Sequence, residues 1–205
     1  MKNTAQGKAY VTVADRIRNH GPINFDLFMD IALYSEKGYY MNEDIFGMTG
    51  DYYTSPTLHP MFGAMLALQL CQMWECLGRP DPFTVLEIGS GNGVLARDIM
   101  TSLRASDSKC IDCLEYVTVD RIYPTIRVEG VVPLKPEHLS NLHKTGVVLS
   151  NELLDAMPTR MIEIRSGRIH ELMITLDSEG NLVEVLSENP VEELESLNVI
   201  ADLAS

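Results

Sequence analysis

Val85-Leu86-Glu87-Ile88-Gly89-Ser90-Gly91-Asn92-Gly93 is a run of strand-forming residues that passes through a carboxylate into a Gly-x-Gly-x-Gly turn. An amphipathic run, Val94 to Leu103, follows directly. Apolar strand formers, then glycines free to adopt positive φ, then helical periodicity describe a strand, a tight turn and a helix. That unit builds nucleotide pockets at the edge of α/β sheets. The spacing narrows the ligand. A dinucleotide fingerprint runs Gly-x-Gly-x-x-Gly, so that backbone can approach a pyrophosphate. Here the third glycine, Gly93, comes one place early and Val94 follows, which disfavours a nicotinamide-dependent oxidoreductase. Glu87 lies on the strand two residues before the first glycine. A carboxylate there suits a ligand with an ammonium group and no phosphate. A tight turn that holds no ligand is the alternative for such a motif taken alone.

The surrounding residues extend the pattern. Phe83–Ile88 reads as a strand and Asn92–Leu103 as a helix that Asn92 is placed to cap. Glu115–Val119 is a second strand ending in Asp120, Ile126–Val132 a third, and Pro136–Leu142 a short helix. Gly146–Ser150 is an apolar fourth strand that ends in Asn151-Glu152. Alternating strands and helices imply a parallel sheet with crossover connections. Ligands of such sheets bind at the carboxyl ends of the strands. Glu87 to Gly93, Asp120 and Asn151-Glu152 all fall at or just past a strand end, so three separate loci point to one rim.

The ligand that fits these loci is S-adenosylmethionine. The turn Gly89, Ser90, Gly91, Asn92 and Gly93 lets its methionine part and ribose lie against backbone, and Glu87 attracts its ammonium. Asp120 accepts from both ribose hydroxyls, as the acid of dinucleotide folds does; its bland reading is an exposed Asp at a strand end. Asn151-Glu152-Leu153-Leu154-Asp155-Ala156-Met157-Pro158 follows the fourth strand, a place that in adenosylmethionine enzymes faces the methyl acceptor. If Leu153 begins a helical turn, Glu152 and Asp155 stand three apart on one face. Two carboxylates can grip a guanidinium, which is protonated at neutral pH and needs help to become a nucleophile. Asn151, Glu152 and Asp155 are thus the candidate catalytic residues. The alternative is that Asn151 caps the turn, Glu152 is solvated, and Leu153 and Leu154 are core.

The flanks differ in character. Residues 1–80 read as mostly helical. Val11, Ala14 and Ile17 mark a first helix stopped by Gly21-Pro22. Asn24 is placed to cap a second, with Phe25, Phe28, Met29, Ala32 and Leu33 at helical spacing. A long Gly- and Tyr-rich segment follows, from Gly38-Tyr39-Tyr40 to Pro56; loops of that length in compact domains are more often functional than idle. A third helix, from about Pro60 to Leu77, is apolar on most faces and is expected to be buried on more than one side. After residue 158 the pattern alternates. Met161–Arg165, Arg168–Leu176 and Leu182–Leu186 predict an antiparallel meander, and Pro190 to Leu203 an acidic final helix. From Asp177 onward there are eight acids and no Lys or Arg, the pattern of a solvated face.

Composition sets outer limits. The chain has 205 residues and a net charge of -13, which argues against a surface that tracks nucleic-acid phosphates. No apolar run is long enough to span a membrane, and the first 20 residues lack a hydrophobic signal core. A reducing compartment is expected. Cys110 and Cys113 form a lone Cys-x-x-Cys that Cys71 and Cys76 do not complete into a zinc site, so no metal is expected.

The sequence resembles the MidA-like methyltransferases, the family of the mitochondrial complex I assembly factor that methylates protein arginine. Gly21-Pro22-Ile23 with Phe28-Met29, Gly38-Tyr39-Tyr40, and Phe46-Gly47 resemble its opening segments. Gly50-Asp51-Tyr52-Tyr53-Thr54-Ser55-Pro56, with Pro60 and Phe62-Gly63, is the most particular match. Leu86–Gly93, Val119-Asp120 and Asn151–Pro158 follow in the family's order. The resemblance implies a Rossmann-like α/β methyltransferase sheet with a helical N-terminal part and a β-meander insertion. Residues 1–80 would be a helical, cofactor-covering region, 81–158 the S-adenosylmethionine-binding core, and 159–205 the meander and acidic helix. Asp51, Thr54, Ser55 and Pro56 would sit near the cofactor in a loop that closes over it. The implied activity is protein arginine N-methylation linked to respiratory complex I assembly, with a protein substrate such as a complex I core subunit. A bacterial cytoplasm is the expected compartment, with the mitochondrial matrix as alternative, and a homo-oligomer is an open option. Two departures stand out: the helix expected after the second strand is missing, and the family continues past residue 205, so the chain reads as truncated at its C-terminus. The competing reading is a catalytically impaired binding or assembly module.

Overall fold

The computed structural model describes residues 4–41, 55–106, 108–141 and 145–191. In chain order its elements are α1 (Thr4–His20), β1 (Ile23–Asn24), α2 (Phe25–Tyr34), α3 (Ser55–Leu58), α4 (Met61–Cys76), β2 (Phe83–Ile88) and α5 (Val94–Ala105). These are followed by β3 (Leu114–Val119), β4 (Val131–Leu134), β5 (Gly146–Ser150), β6 (Ile162–Arg165), β7 (Arg168–Leu176) and β8 (Leu182–Leu186). Contacts cluster residues 46–155 into one unit and residues 1–45 with 156–205 into another.

The unit of residues 46–155 is a parallel sheet in the order β4-β3-β2-β5. Strand alternation sends Phe83, Val85 and Glu87 of β2 to one face, beside Tyr116 and Thr118 of β3. That face carries the core: Phe83, Val85 and Tyr116 pack with Ala67 and Leu70 of α4 and with Leu95, Ile99 and Leu103 of α5. Each large side chain so buried stabilises the fold by about 1.5–3 kcal/mol. At the margins of the opposite face, Val132 of β4 and Val148 of β5 are exposed.

Several sequence expectations shift here. The helix after the glycines begins at Val94, not Asn92, because Gly93 takes φ 88° and occupies the N-cap position. Asn92 still serves the helix start, its Oδ1 accepting from the Val94 N–H at 3.1 Å. The third strand runs over Val131–Leu134 rather than 126–132. Its expected beginning is diverted, since the Ile126 N–H donates to the Asn92 carbonyl at 3.0 Å and a turn through Gly130 precedes the strand. No helix is described between β3 and β4, as the short spacing anticipated. Helix α4 is not buried on more than one side: Gly63, Ala67 and Leu70 form its buried stripe, while Met61, Met65, Leu68 and Met73 are exposed.

The unit of residues 1–45 and 156–205 joins two helices to the meander. The predicted strands appear as β6, β7 and β8, antiparallel around β7. Ile23 and Asn24 add a short strand, β1, paired with Ile174 and Met173, which periodicity did not reveal. Val13 and Ile17 of α1 join Ile23 and Ile174 in a small core. Val11, expected on the buried face of α1, is exposed, and Val13 takes its place. Gly21 ends α1 as expected, with φ 82° and its N–H on the Ile17 carbonyl. Asn24 holds the N-cap position of α2, but its side chain makes no capping bond; the Leu27 N–H instead meets Asp26 Oδ1 at 2.7 Å. Arg160 grips the buried Glu171 of β7 with Nε and Nη2, both at 2.7 Å. The predicted final helix lies mostly in residues 192–205, outside the described residues.

Candidate functional site at the carboxyl ends of the parallel strands

Register decides which residues meet. Ile88 of β2 pairs with Val119 of β3 on one side and Ser150 of β5 on the other. The next residues along the three strands are Gly89, Asp120 and Asn151, so the three loci emerge side by side from one sheet edge. Parallel strands end together only when their registers agree, and here they do.

The glycine turn is bound to its neighbours through backbone. The Gly89 N–H donates to the Val119 carbonyl at 2.8 Å, and the Gly93 N–H to the Ser90 carbonyl at 3.0 Å. The Gly91 N–H donates to Asp120 Oδ2 at 2.8 Å, and the Ile122 N–H approaches Oδ1 at 3.4 Å. Asp120 therefore already shapes the turn. A carboxylate offers about four lone-pair sites, so it keeps capacity for further donors. Glycine is required at two of these positions. A Cβ on Gly93, at φ 88°, would meet the Ile126 carbonyl oxygen at 3.0 Å. A Cβ on Gly89, at φ 77°, would meet Leu153 Cδ1 at 2.8 Å.

Glu87 is the electrostatic centre. It is only 2% exposed, and the buried Tyr116 hydroxyl donates to its Oε2 at 2.8 Å. Burial pushes its carboxyl up to about 7; the Tyr116 hydrogen bond opposes that rise, and the Asp120 carboxylate adds to it. Burial and the neighbouring Glu87 also drive the Tyr116 hydroxyl well above its ordinary value, so it stays protonated and donates. Two buried hydroxyls nearby, Ser90 Oγ and Thr118 Oγ1, make no hydrogen bond within the described residues. A buried polar atom left without a partner is costly, and such atoms commonly mark a place for a ligand or water.

The segment after β5 differs from its expected form. The helical turn covers Leu154–Ala156, one residue later than expected, and is a single 3-10 turn. Glu152 precedes it with φ 48°, outside the turn, so Glu152 and Asp155 do not share one helical face. Both are exposed, and Leu154 is exposed rather than core. Leu153 instead packs against Gly89, joining this segment to the glycine turn. Asp51 and Thr54 lie outside the described residues. Ser55 and Pro56 belong to α3, which touches α5, the helix that the glycine turn opens into. Sequence reasoning missed Tyr116, Ile126 and Leu153. Only Tyr116 carried a signal, as a phenol inside an apolar strand. Among the described residues no group of His, Cys, Asp or Glu is arranged to hold a metal.

The donor set fits S-adenosylmethionine on this structure's own terms: a backbone-lined glycine turn, an unpartnered buried Ser90 hydroxyl, and two carboxylates suited to an ammonium and a ribose diol. A family model described as "Putative S-adenosyl-L-methionine-dependent methyltransferase" matches residues 65–204, more than half of the chain. The chain belongs to this methyltransferase family. Its β2–turn–α5 unit and β5 both lie within the matched stretch. The chain is 26% identical to "Protein arginine methyltransferase NDUFAF7 homolog, mitochondrial" of Drosophila melanogaster, over 82% of this chain and 45% of that protein. It is 35% identical to the Xenopus tropicalis protein arginine methyltransferase NDUFAF7, over 79% and 45%. Among solved structures it resembles a COG1565 superfamily member and "likely methyl transferase" from Burkholderia thailandensis, bound to S-adenosyl-homocysteine. The TM-score is 0.71 at 25% identity, covering 95% of this chain and 54% of that one. The chain thus spans about half the length of the curated relatives it matches. The Rossmann-like methyltransferase sheet that the family resemblance implied is the fold of this chain.

Proposed function

We propose that this chain binds S-adenosylmethionine and serves protein arginine N-methylation, with a protein substrate linked to respiratory complex I assembly. The observation that carries the reading is the alignment of Gly89, Asp120 and Asn151 at one sheet edge, with the Gly91 N–H bonded to Asp120. Family membership and the curated relatives' names as protein arginine methyltransferases support it.

In this reading Gly89, Ser90, Gly91, Asn92 and Gly93 receive the methionine part and ribose, Glu87 attracts the ammonium, and Asp120 accepts from the ribose hydroxyls. By the family resemblance, Ser55 and Pro56 lie near the cofactor, and the assignment of Asp51 and Thr54 beside them rests on sequence alone. The bound cofactor supplies a methyl group on a positively charged sulfur, an excellent leaving group. The protein's task is then positioning, together with removal of one proton from the acceptor. Asn151, Glu152 and Asp155 hold the guanidinium, and one of the two carboxylates, Glu152 or Asp155, takes that proton. A bacterial cytoplasm, with the mitochondrial matrix as alternative, is the proposed compartment; the curated relatives are named as mitochondrial. No described helix is long and apolar enough to cross a membrane.

A second reading is a module that keeps the cofactor site without transferring a methyl group. The exposure of both Glu152 and Asp155 favours it, because catalytic carboxylates are usually tuned by burial. Radiolabelled methyl transfer into a lysate, comparing the wild type with Gly91→Val and Glu152→Ala, separates the two. Label that depends on both residues supports the transferase. Cofactor binding without label supports the module, and equal labelling by all three proteins refutes the site assignment.

A further inference from the structure

We propose that Tyr116 is a positioning residue for the cofactor's amino-acid end, its hydroxyl orienting the Glu87 carboxyl in the core as an acceptor for an ammonium group; this rests on the adenosylmethionine reading above. The geometry is specific. Val85 pairs with Tyr116 and Glu87 with Thr118, so Tyr116 sits diagonally from Glu87 on the same sheet face. Tyr116 is fully buried in the hydrophobic cluster, yet its hydroxyl reaches Glu87 Oε2 at 2.8 Å. A core position that needed only volume would be served as well by phenylalanine.

The groups around Glu87 explain why the hydroxyl matters. From β3 come Tyr116 and the uncharged Thr118, and past its end the Asp120 carboxylate, which repels negative charge. From β5 comes Leu149 by register, and beyond it the exposed Glu152 and Asp155. Helix α5, packed on this face, carries the Arg97–Asp98 ion pair at 2.8 Å, and α4 carries Cys71, Glu75 and Cys76 toward its C-terminal end. Among these, the Tyr116 hydroxyl is the group whose hydrogen bond favours the charged form of Glu87. Burial alone favours the neutral acid, and a neutral carboxyl has no charge with which to attract an ammonium. Tyr116 offsets part of that penalty and fixes the carboxylate's orientation.

The test is calorimetric binding of S-adenosyl-homocysteine, which carries the ammonium, and of methylthioadenosine, which lacks the amino-acid part, between pH 6 and pH 8. The wild type is expected to bind S-adenosyl-homocysteine more tightly as pH rises, with methylthioadenosine nearly insensitive. Tyr116→Phe should weaken S-adenosyl-homocysteine by about tenfold at pH 7, recover toward pH 8, and leave methylthioadenosine within about twofold. In a Glu87→Gln background the same change should have little effect on either ligand. Equal weakening of both ligands would make Tyr116 merely structural and overturn the proposal. Unchanged S-adenosyl-homocysteine affinity in Tyr116→Phe would overturn it alone, while wild-type protein that binds neither ligand would remove the adenosylmethionine reading as well.

Discussion

The Gly91 backbone N–H donates to Asp120 Oδ2 at 2.8 Å, linking the turn after β2 to the first residue beyond β3. Asp120 therefore has two tasks: it holds the glycine turn in shape, and it presents its remaining lone pairs at the strand ends. Asp120→Ala should cost about 1–3 kcal/mol, since it leaves a charge-assisted bond unmade. Asp120→Asn keeps an acceptor oxygen and should lose less. Urea unfolding of the two variants measures the difference, and equal losses would show that the side-chain acceptor does not support the turn.

Glu87 makes stability depend on pH. Its carboxyl is pushed up to about 7, from an ordinary value of 4.5, by burial first and by Asp120 to a lesser degree. Between those values the folded chain holds a proton that the unfolded chain releases. Stability therefore falls as pH rises through this window, and the penalty is complete above about 7. Glu87→Gln removes the penalty while keeping an acceptor for Tyr116. It should match the wild type near pH 4 and exceed it by roughly 2–3 kcal/mol at pH 8, measured by chemical denaturation. A constant gap across that range would mean that Glu87 is not the group responsible.

Gly93 allows the loop after Asp120 to rest on the glycine turn. Gly93→Ala places a Cβ at a positive φ and 3.0 Å from the Ile126 carbonyl, a backbone atom that cannot swing aside. We expect a loss of about 1–3 kcal/mol in stability. Binding of S-adenosyl-homocysteine should fall at least about tenfold. A melting temperature and affinity equal to wild type would show that the loop accommodates the methyl group.

Arg160 and Glu171 form a two-pronged pair, with both bonds at 2.7 Å and Glu171 almost fully buried. Removing Arg160 leaves the buried Glu171 charge without its two-pronged partner, so Arg160→Ala should cost about 3–5 kcal/mol, and Glu171→Ala should cost less because the Arg160 side chain is 32% exposed. A combined Arg160→Met and Glu171→Leu change should cost far less than the sum of the single changes. A double-mutant cycle by thermal unfolding checks this, and additive losses would deny the coupling.

The glycine motif was legible because each residue in it carries a local signal: strand formers, a carboxylate, and glycines spaced for a turn. The meander was equally plain, since its alternation needs no knowledge of a partner strand. Other features were decided at a distance. Periodicity showed that α4 is apolar but not which stripe faces the core; packing on α5 buries Gly63, Ala67 and Leu70 and leaves Met61, Met65 and Leu68 outside. Residues 126–130 had strand composition, yet the Ile126–Asn92 bond took them into a loop. A short apolar run follows the partner that long-range contacts assign to it.

From its residue order alone, this protein is determined to be an α/β chain with a parallel sheet, a glycine turn, an acid before it, and further acids at later strand ends. The causes are local: β-branched alternation, glycine's freedom at positive φ, and helical periodicity. Only the tertiary structure decided that β2, β3 and β5 end in register, that Tyr116 reaches Glu87, and that Leu153 closes on Gly89. Those are relations between residues about 29 to 64 positions apart. Such relations depend on strand register and close packing, which no single stretch of sequence encodes.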